Sequence, residues 1–205
     1  MNVDTPDTPE PREARRRQIL AAAARVFARH GFEATRIHDI AREAGVAYGL
    51  VYHYFGSKQD LLDTVIDGSW AAFADAVEGI AASDRAPRDR VRATLDYLFG
   101  AWGAHADVVR VVISEVGPRL RSGDLRPEVA RALAALTDLF DRAAAEGALR
   151  PDLHAPTLAH AFLGAMEGAL AAVQTGAATE ATLHATLRAL FRDAAFLPEP
   201  PNPGA

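Results

Sequence analysis

The stretch "GVAYGLVYHYF", residues 45–55, decides how the rest of the chain is read. A glycine-flanked turn precedes four consecutive rings, Tyr52, His53, Tyr54 and Phe55. Val51 and Phe55 stand four apart, so on a short helix they share the face that points to a core. Tyr52 and His53 then face the other way, where a phenol or an imidazole can donate a hydrogen bond outward. Taken alone, the rings fit a buried aromatic knot equally well. The flanking residues have to decide.

Upstream, apolar residues recur from Arg12 at Ile19, Leu20, Ala23, Val26 and Phe27, a helical stripe. Gly31 ends it, with Phe32 packing back. Thr35 fits the N-cap of a second helix whose inner face is Ile37, Ile40, Ala41 and Ala44, and Gly45 closes that helix. Downstream, Gly56 ends the ring stretch and Ser57 caps a long helix, with Asp60 standing in for the capping-box glutamate. Its stripe is Leu62, Ile66, Trp70, Phe73 and Val77.

Three short helices followed by a long fourth fit a helix-turn-helix unit. The second helix, about 37–44, would cross a DNA backbone, and the third, about 48–54, would lie in the major groove. Tyr48 and Leu50 stand at the helix entry, where base edges are read, and Leu50 suits a thymine methyl. Gly49 lets the backbone approach phosphate, and Tyr52 and His53 donate to phosphate oxygens. Lys58, at a helix N-terminus, adds an ammonium where an anion is already favoured. Thr35 and Arg36 begin the second helix, and at least one is expected to touch phosphate. Arg15–Arg17 oppose a helix dipole, which leaves a phosphate role and a solvated helix start both open.

The net charge of −5 argues at first against a nucleic acid. Its distribution reverses that reading: residues 11–58 hold eight arginines and Lys58 against four acidic groups. A basic quarter on an acidic body points to an anionic partner for that quarter alone. The absence of cysteine removes disulfides, thiol nucleophiles and cysteine zinc sites and fits a reducing compartment. No signal peptide is read at the start, and arginine or glutamate breaks each apolar run before about 18 residues, so no membrane span is expected. The seven histidines show no metal-binding spacing, and the motifs of nucleotide-binding and hydrolytic enzymes are missing, so neither metal, cofactor nor catalysis is expected.

Past a linker at 80–89, Val91, Leu95, Leu98, Phe99 and Trp102 mark another helix. "DVVRVVISEV", 107–116, is rich in β-branched residues, but a strand would lack a partner, so it reads as a buried helix. "GPRLRSGDLRP", 117–127, reads as a loop. Pro127 opens a helix through Leu133, Leu136, Leu139 and Phe140, and Pro156 opens another through about Gln174. Thr179 starts the last, with Leu183, Leu187, Leu190, Phe191 and Ala194. The sum is an all-α chain of about nine helices. Residues 12–72 form the three-helix helix-turn-helix domain and 73–197 the C-terminal helical domain; 1–11 and 198–205 read as disordered tails.

Residues 15–66 resemble the tetracycline-repressor (TetR) family of bacterial transcriptional regulators. The matching positions are Ile40-Ala41, Ala44-Gly45-Val46, Gly49, Tyr52, Tyr54-Phe55, Lys58 and Leu61. This run covers about a quarter of the chain. The chain departs from the family pattern at Ala47, where serine or threonine is frequent, and at Tyr48, where a small or basic residue is frequent. Losing the capping oxygen at Ala47 costs about 1 kcal/mol of local helix stability.

The resemblance implies a homodimer on an operator duplex, assembled through the last two helices, about 156–174 and 180–196. Gly164 and Gly168 on the first of these suit close helix approach, and internal packing is the alternative. It also implies a small-molecule effector in the C-terminal domain. Candidate linings are Trp70, Phe73, Leu98, Trp102, Val109, Ile113, Met166 and Leu170, with His105, His160 and Glu167 as polar groups that would orient a ligand. An apolar or amphipathic effector that releases a cytoplasmic repressor from its operator is the resulting reading. An architectural DNA-binding protein without ligand response is the alternative.

Overall fold

The computed structural model describes residues 9–122 and 125–197. The chain packs as two compact units. The first draws its described residues from Met1–Ser69 and Asp107–Val112, the second from Trp70–Ala106 and Ile113–Ala205.

Three helices and the start of a fourth build the first unit: α1 (Pro9–Ala34), α2 (Ile37–Ala44), α3 (Tyr48–Tyr54) and α4 (Lys58–Ala81). α1 packs on α2, and α2 on α3. The apolar stripes meet as their spacing requires: Ile19, Ala23, Val26 and Phe27 are buried, as are Ile37, Ile40, Ala41, Ala44, Val51 and Phe55. α1 leaves helical geometry at Gly31, whose φ of 75° and ψ of 164° are open to glycine almost alone. The break lets Phe32 fold back on Phe27, with ring centroids 5.8 Å apart. No atom lies within 4 Å of the place a Cβ would take at Gly31, so a substitution there costs backbone strain and nothing else. Gly31→Ala is therefore expected to destabilise the protein by about 1–3 kcal/mol, read as a lower urea midpoint at unchanged slope.

The caps agree only in part with the sequence reading. Ser57 accepts from the Asp60 N–H at 3.0 Å, as expected. Thr35 does not cap α2: Arg36 occupies the N-cap with no side-chain bond, and the Thr35 hydroxyl donates back to Gly31 O at 2.7 Å. With the chain broken at Gly31, that nearer carbonyl wins the hydroxyl.

The second unit contains the rest of α4 and most of α5 (Pro87–Ser122), then α6 (Pro127–Ala145), α7 (Ala155–Gln174) and α8 (Glu180–Arg188), which runs into a π-helical turn, Ala189–Ala194. α6 packs on α7, and α7 on α8. Arg90, 8 % exposed, reaches from α5 to Glu146 at 2.5 Å, and Arg131 joins Glu78 and Asp75. After α8, Phe196 returns to Leu149 through an isolated antiparallel bridge, and the Arg88 guanidinium lies over the Phe196 ring.

Two sequence readings are corrected. The expected break at 117–127 begins too early, because α5 runs without interruption through the 107–116 segment and past Gly117 and Pro118 to Ser122. A Gly-Pro pair weakens a helix locally, but a long helix carries one weak turn when its neighbours continue the ladder. Leu190 and Ala194, expected on the inner stripe of the last helix, are both exposed, Leu190 at 51 %. The wider π turn advances each residue by less than an α-helical step, so the inner positions fall on Leu187, Phe191 and Ala195, and Leu190 turns outward.

Candidate nucleic-acid interface

The link from α2 to α3 sets the site. Gly45 takes the left-handed conformation (φ 63°, ψ 36°), and Val46 N–H returns to Ala41 O at 3.0 Å. This αL closure stops α2 cleanly and redirects the chain within three residues. α3 then starts at an N-cap, Ala47, that offers no side-chain bond, in line with the departure noted in the sequence.

On α3, Val51 is fully buried and Phe55 follows it inward, with the Arg16 guanidinium 5.5 Å from the Phe55 ring centroid. The opposite face carries Tyr48, Gly49, Tyr52 and His53, all exposed, while Leu50 is half-buried. Tyr48 and Tyr52, one turn apart, meet edge-to-face at 5.3 Å with their hydroxyls 3.4 Å apart. The hydrogen bond with the Tyr52 hydroxyl, then desolvation, holds the Tyr48 phenol above its ordinary pKa. The Tyr48 phenol therefore stays a neutral donor at physiological pH. His53 stands edge-on to Tyr54 at 5.5 Å. No side chain stands at Gly49, and no atom lies within 4 Å of where its Cβ would be.

Of the expected contact residues, the structure brings Ala47, Tyr48, Gly49, Tyr52 and His53 onto one exposed surface, with Leu50 at its edge and exposed Arg36 at the start of α2. Thr35 is set apart: it is 3 % exposed, with its hydroxyl used internally. Lys58 is also placed differently from an ammonium open to phosphate. Its Nζ donates to Phe32 O at 2.6 Å, Thr35 O at 3.1 Å and Glu33 O at 3.3 Å.

Part of the basic charge counted in the sequence is spent holding the unit together. Arg25 and Arg29 of α1 both bind the Glu43 carboxylate of α2, at 2.8 and 2.5 Å. These bonds, Arg25 first and Arg29 next, hold the Glu43 carboxyl below its ordinary pKa. Gln18 donates to Ala44 O at 2.7 Å. The sequence reading missed this brace. Its one local signal was the four-residue spacing of Arg25 and Arg29, which puts both on one helix face.

The effector candidates divide. Trp70, Phe73, Trp102, Met166 and Leu170 are buried in the second unit, and Leu98 is half-buried. Val109 belongs to the segment packed with the first unit. The side chains of His105 and Ile113 lie outside the described residues. Glu167 is half-buried. His160 is corrected: it is exposed on α7, and its Nδ1 pairs with Pro156 O at 2.8 Å, so it does not line an interior. Two polar atoms stand out instead, one on Trp70, already a candidate lining, and one on His184, which the sequence reading did not place there. Trp70 Nε1 and His184 Nε2 are buried with no hydrogen-bond partner among the described residues. Burial, then the Arg188 charge, lowers the His184 pKa, and its ring stacks on Phe99 at 3.6 Å.

Comparison with known proteins follows the same division. A family profile described as "Bacterial regulatory proteins, tetR family" matches residues 19–65. The HTH-type transcriptional repressor KstR2 of Mycobacterium tuberculosis is 31% identical over 149 residues, 68% of this chain and 72% of that one. The HTH-type transcriptional repressor NicS of Pseudomonas putida is 28% identical over 152 residues, covering 72% and 70%. Among solved structures, the transcriptional regulator FadR from Bacillus subtilis in complex with stearoyl-CoA superposes with a TM-score of 0.72 at 19% identity, over 86% of this chain and 97% of that one. At that identity the likeness speaks for the fold alone.

Proposed function

The chain belongs to the TetR family of bacterial regulatory proteins, and on that premise we propose that it is a ligand-responsive repressor that binds operator DNA as a homodimer and works in the cytoplasm. The observation that carries this reading is the face of α3 opposite Val51, where Tyr48, Gly49, Tyr52 and His53 are all exposed. Arg36 supplies phosphate contact from the start of α2, and α3 enters the major groove. Residues 12–72 act as the DNA-binding domain and 73–197 as the effector and dimerisation domain. The protein is not a catalyst. Among the described residues no helix is long and apolar enough to cross a membrane.

Dimerisation uses α7 and the α8 segment. The exposed face of α7 carries Ala161, Gly164, Gly168 and Ala171, and that of α8 and its π turn carries Ala185, Ala189 and Leu190. Small residues at this spacing admit a second helix pair at close range. The effector is apolar or amphipathic, which the buried Trp70, Phe73, Trp102, Met166 and Leu170 support. Trp70 Nε1, a buried donor with no acceptor among the described residues, suits an oxygen on such a ligand. Two recognition helices of a dimer meet successive major grooves about 34 Å apart. An effector that binds better to a protomer pair held at another spacing shifts the population away from DNA.

The test is selection of bound duplexes from the region upstream of the protein's own gene, followed by two substitutions. Tyr52→Phe removes one donor to a charged phosphate oxygen and is expected to weaken binding about 10–100-fold on every sequence. Tyr48→Ala is expected to change which duplex is preferred. Equal binding by both variants and the unmodified protein would refute the assigned face. The absence of thermal stabilisation by every member of a hydrophobic ligand library would favour an architectural protein instead.

A further inference from the structure

We infer that Glu43 is a positioning residue for DNA binding: gripped by Arg25 and Arg29 of α1, its carboxylate fixes the end of α2 from which α3 is launched. Removing this negative charge therefore weakens the hold on a polyanion instead of strengthening it. The inference rests on the DNA-binding reading above.

Glu43 and Ala44 are the last two residues of α2, and only Gly45, Val46 and Ala47 separate them from α3. Both are held from α1. Arg25 Nε donates to Glu43 Oε1 at 2.8 Å and Arg29 Nη2 donates to Glu43 Oε2 at 2.5 Å, so each carboxylate oxygen has its own guanidinium. Gln18 Nε2 donates to the Ala44 carbonyl at 2.7 Å, an acceptor that a helix end leaves without an intrahelical partner. Residues 18, 25 and 29, seven and four apart, lie along one face of α1. The Arg16 guanidinium stands 5.5 Å from the ring centroid of Phe55, the residue that follows α3. α1 thus holds the chain just before α3 and just after it. A link of three residues passes any tilt at the end of α2 on to α3.

Local electrostatics disfavours an acid at this place. A carboxylate in the last turn of a helix opposes the helix dipole, and it repels a polyanionic partner. The two guanidiniums offset both effects. The Glu43 side chain is also more enclosed than either arginine, which puts it at the centre of the brace.

Glu43→Gln separates positioning from charge, because the two predict opposite signs. The amide keeps one acceptor and turns an N–H₂ toward the second guanidinium. If Glu43 acts on DNA by its charge alone, the variant loses a repulsion and frees two arginines. It then binds a duplex, selected from a random-sequence pool by the unmodified protein, more tightly and with a salt slope at least as steep. Positioning predicts binding about three- to tenfold weaker, at a temperature where circular dichroism shows both proteins folded. Glu43→Arg crowds three guanidiniums and is expected to bind at least about tenfold more weakly. Adding Arg25→Glu to it makes the protein more acidic, yet is expected to restore affinity to within about threefold of the unmodified protein, because the pair is remade with its charges reversed. Amide hydrogen exchange without DNA supplies the independent arm. In Glu43→Gln the amides of α3 are expected to exchange at least about threefold faster, while those of α6 and α7 keep their rates.

Undiminished affinity in Glu43→Gln, no gain on adding Arg25→Glu to Glu43→Arg, or unchanged exchange in α3 overturns the inference. If Glu43→Gln fails to fold, the charge-reversed double variant decides alone, and its failure to bind within about threefold of the unmodified protein overturns the inference. If the unmodified protein selects no duplex, the DNA-binding reading fails, and the exchange arm still decides whether the brace fixes α3.

Discussion

Arginine in place of Gly164 is expected to yield a folded monomer that has lost about 10²–10⁴-fold in affinity for a duplex with two half-sites. The size of the effect follows from linkage. Two recognition helices joined in a dimer make the second contact intramolecular, and separating them returns it to free concentration. The position is suited to the test because Gly164 is exposed on α7 in the protomer. Among the described residues nothing meets a Cβ placed there within 4 Å, so the new side chain leaves the helix into open space. Replacing a helical glycine also favours the helix by up to about 1 kcal/mol. Across a two-fold axis the same substitution puts bulk and like charge against itself. The measurements are molar mass by light scattering and affinity for one against two half-sites. Affinity for the single half-site is expected to stay unchanged. A Gly164→Arg protein that remains dimeric would remove α7 from the interface.

Phe162→Ala is expected to destabilise the second unit by about 3–5 kcal/mol, a large part of the 5–15 kcal/mol that holds a typical domain. Phe162 is fully buried, and its ring meets Phe191 at 4.9 Å, tying α7 to the π-helical end of α8. Truncation removes the aromatic pair and leaves a cavity that surrounding helices fill only in part. Calorimetry and urea unfolding measure the loss. A cost below about 1 kcal/mol would mean that the two segments do not depend on this contact. Because α7 and α8 also carry the proposed interface, dimer dissociation is expected to accompany the loss.

The two predictions draw on different kinds of information. The spacing of Gly164 from Gly168 amid alanines is visible in the sequence. That it faces outward, together with Ala161 and Ala171, came from the packing of α7 on α6 and α8. Phe162 carried no mark in the sequence beyond being apolar. Its pairing with Phe191 depends on a π turn that local propensity does not reveal. The exposed face of α3 behaves similarly. The inward positions Val51 and Phe55 were legible from a four-residue spacing, and with them the outward set Tyr48, Gly49, Tyr52 and His53. The hydroxyl pairing of Tyr48 with Tyr52 follows from the same spacing, but their distance required the built helix.

By itself the sequence determined the all-α class, the stops at Gly31 and Gly45, the Ser57 cap and the helix-turn-helix. Each of these is set by residues within about one helical turn, where periodicity and backbone sterics act directly. Only the tertiary structure decided where individual polar groups go. Lys58 meets three backbone carbonyls, Thr35 turned to Gly31, Arg25 and Arg29 closed on Glu43, and His160 and Leu190 turned outward. Long side chains choose among partners that the chain brings near from tens of residues away, and one extra residue in a turn rotates all that follow. Neither is written in local spacing.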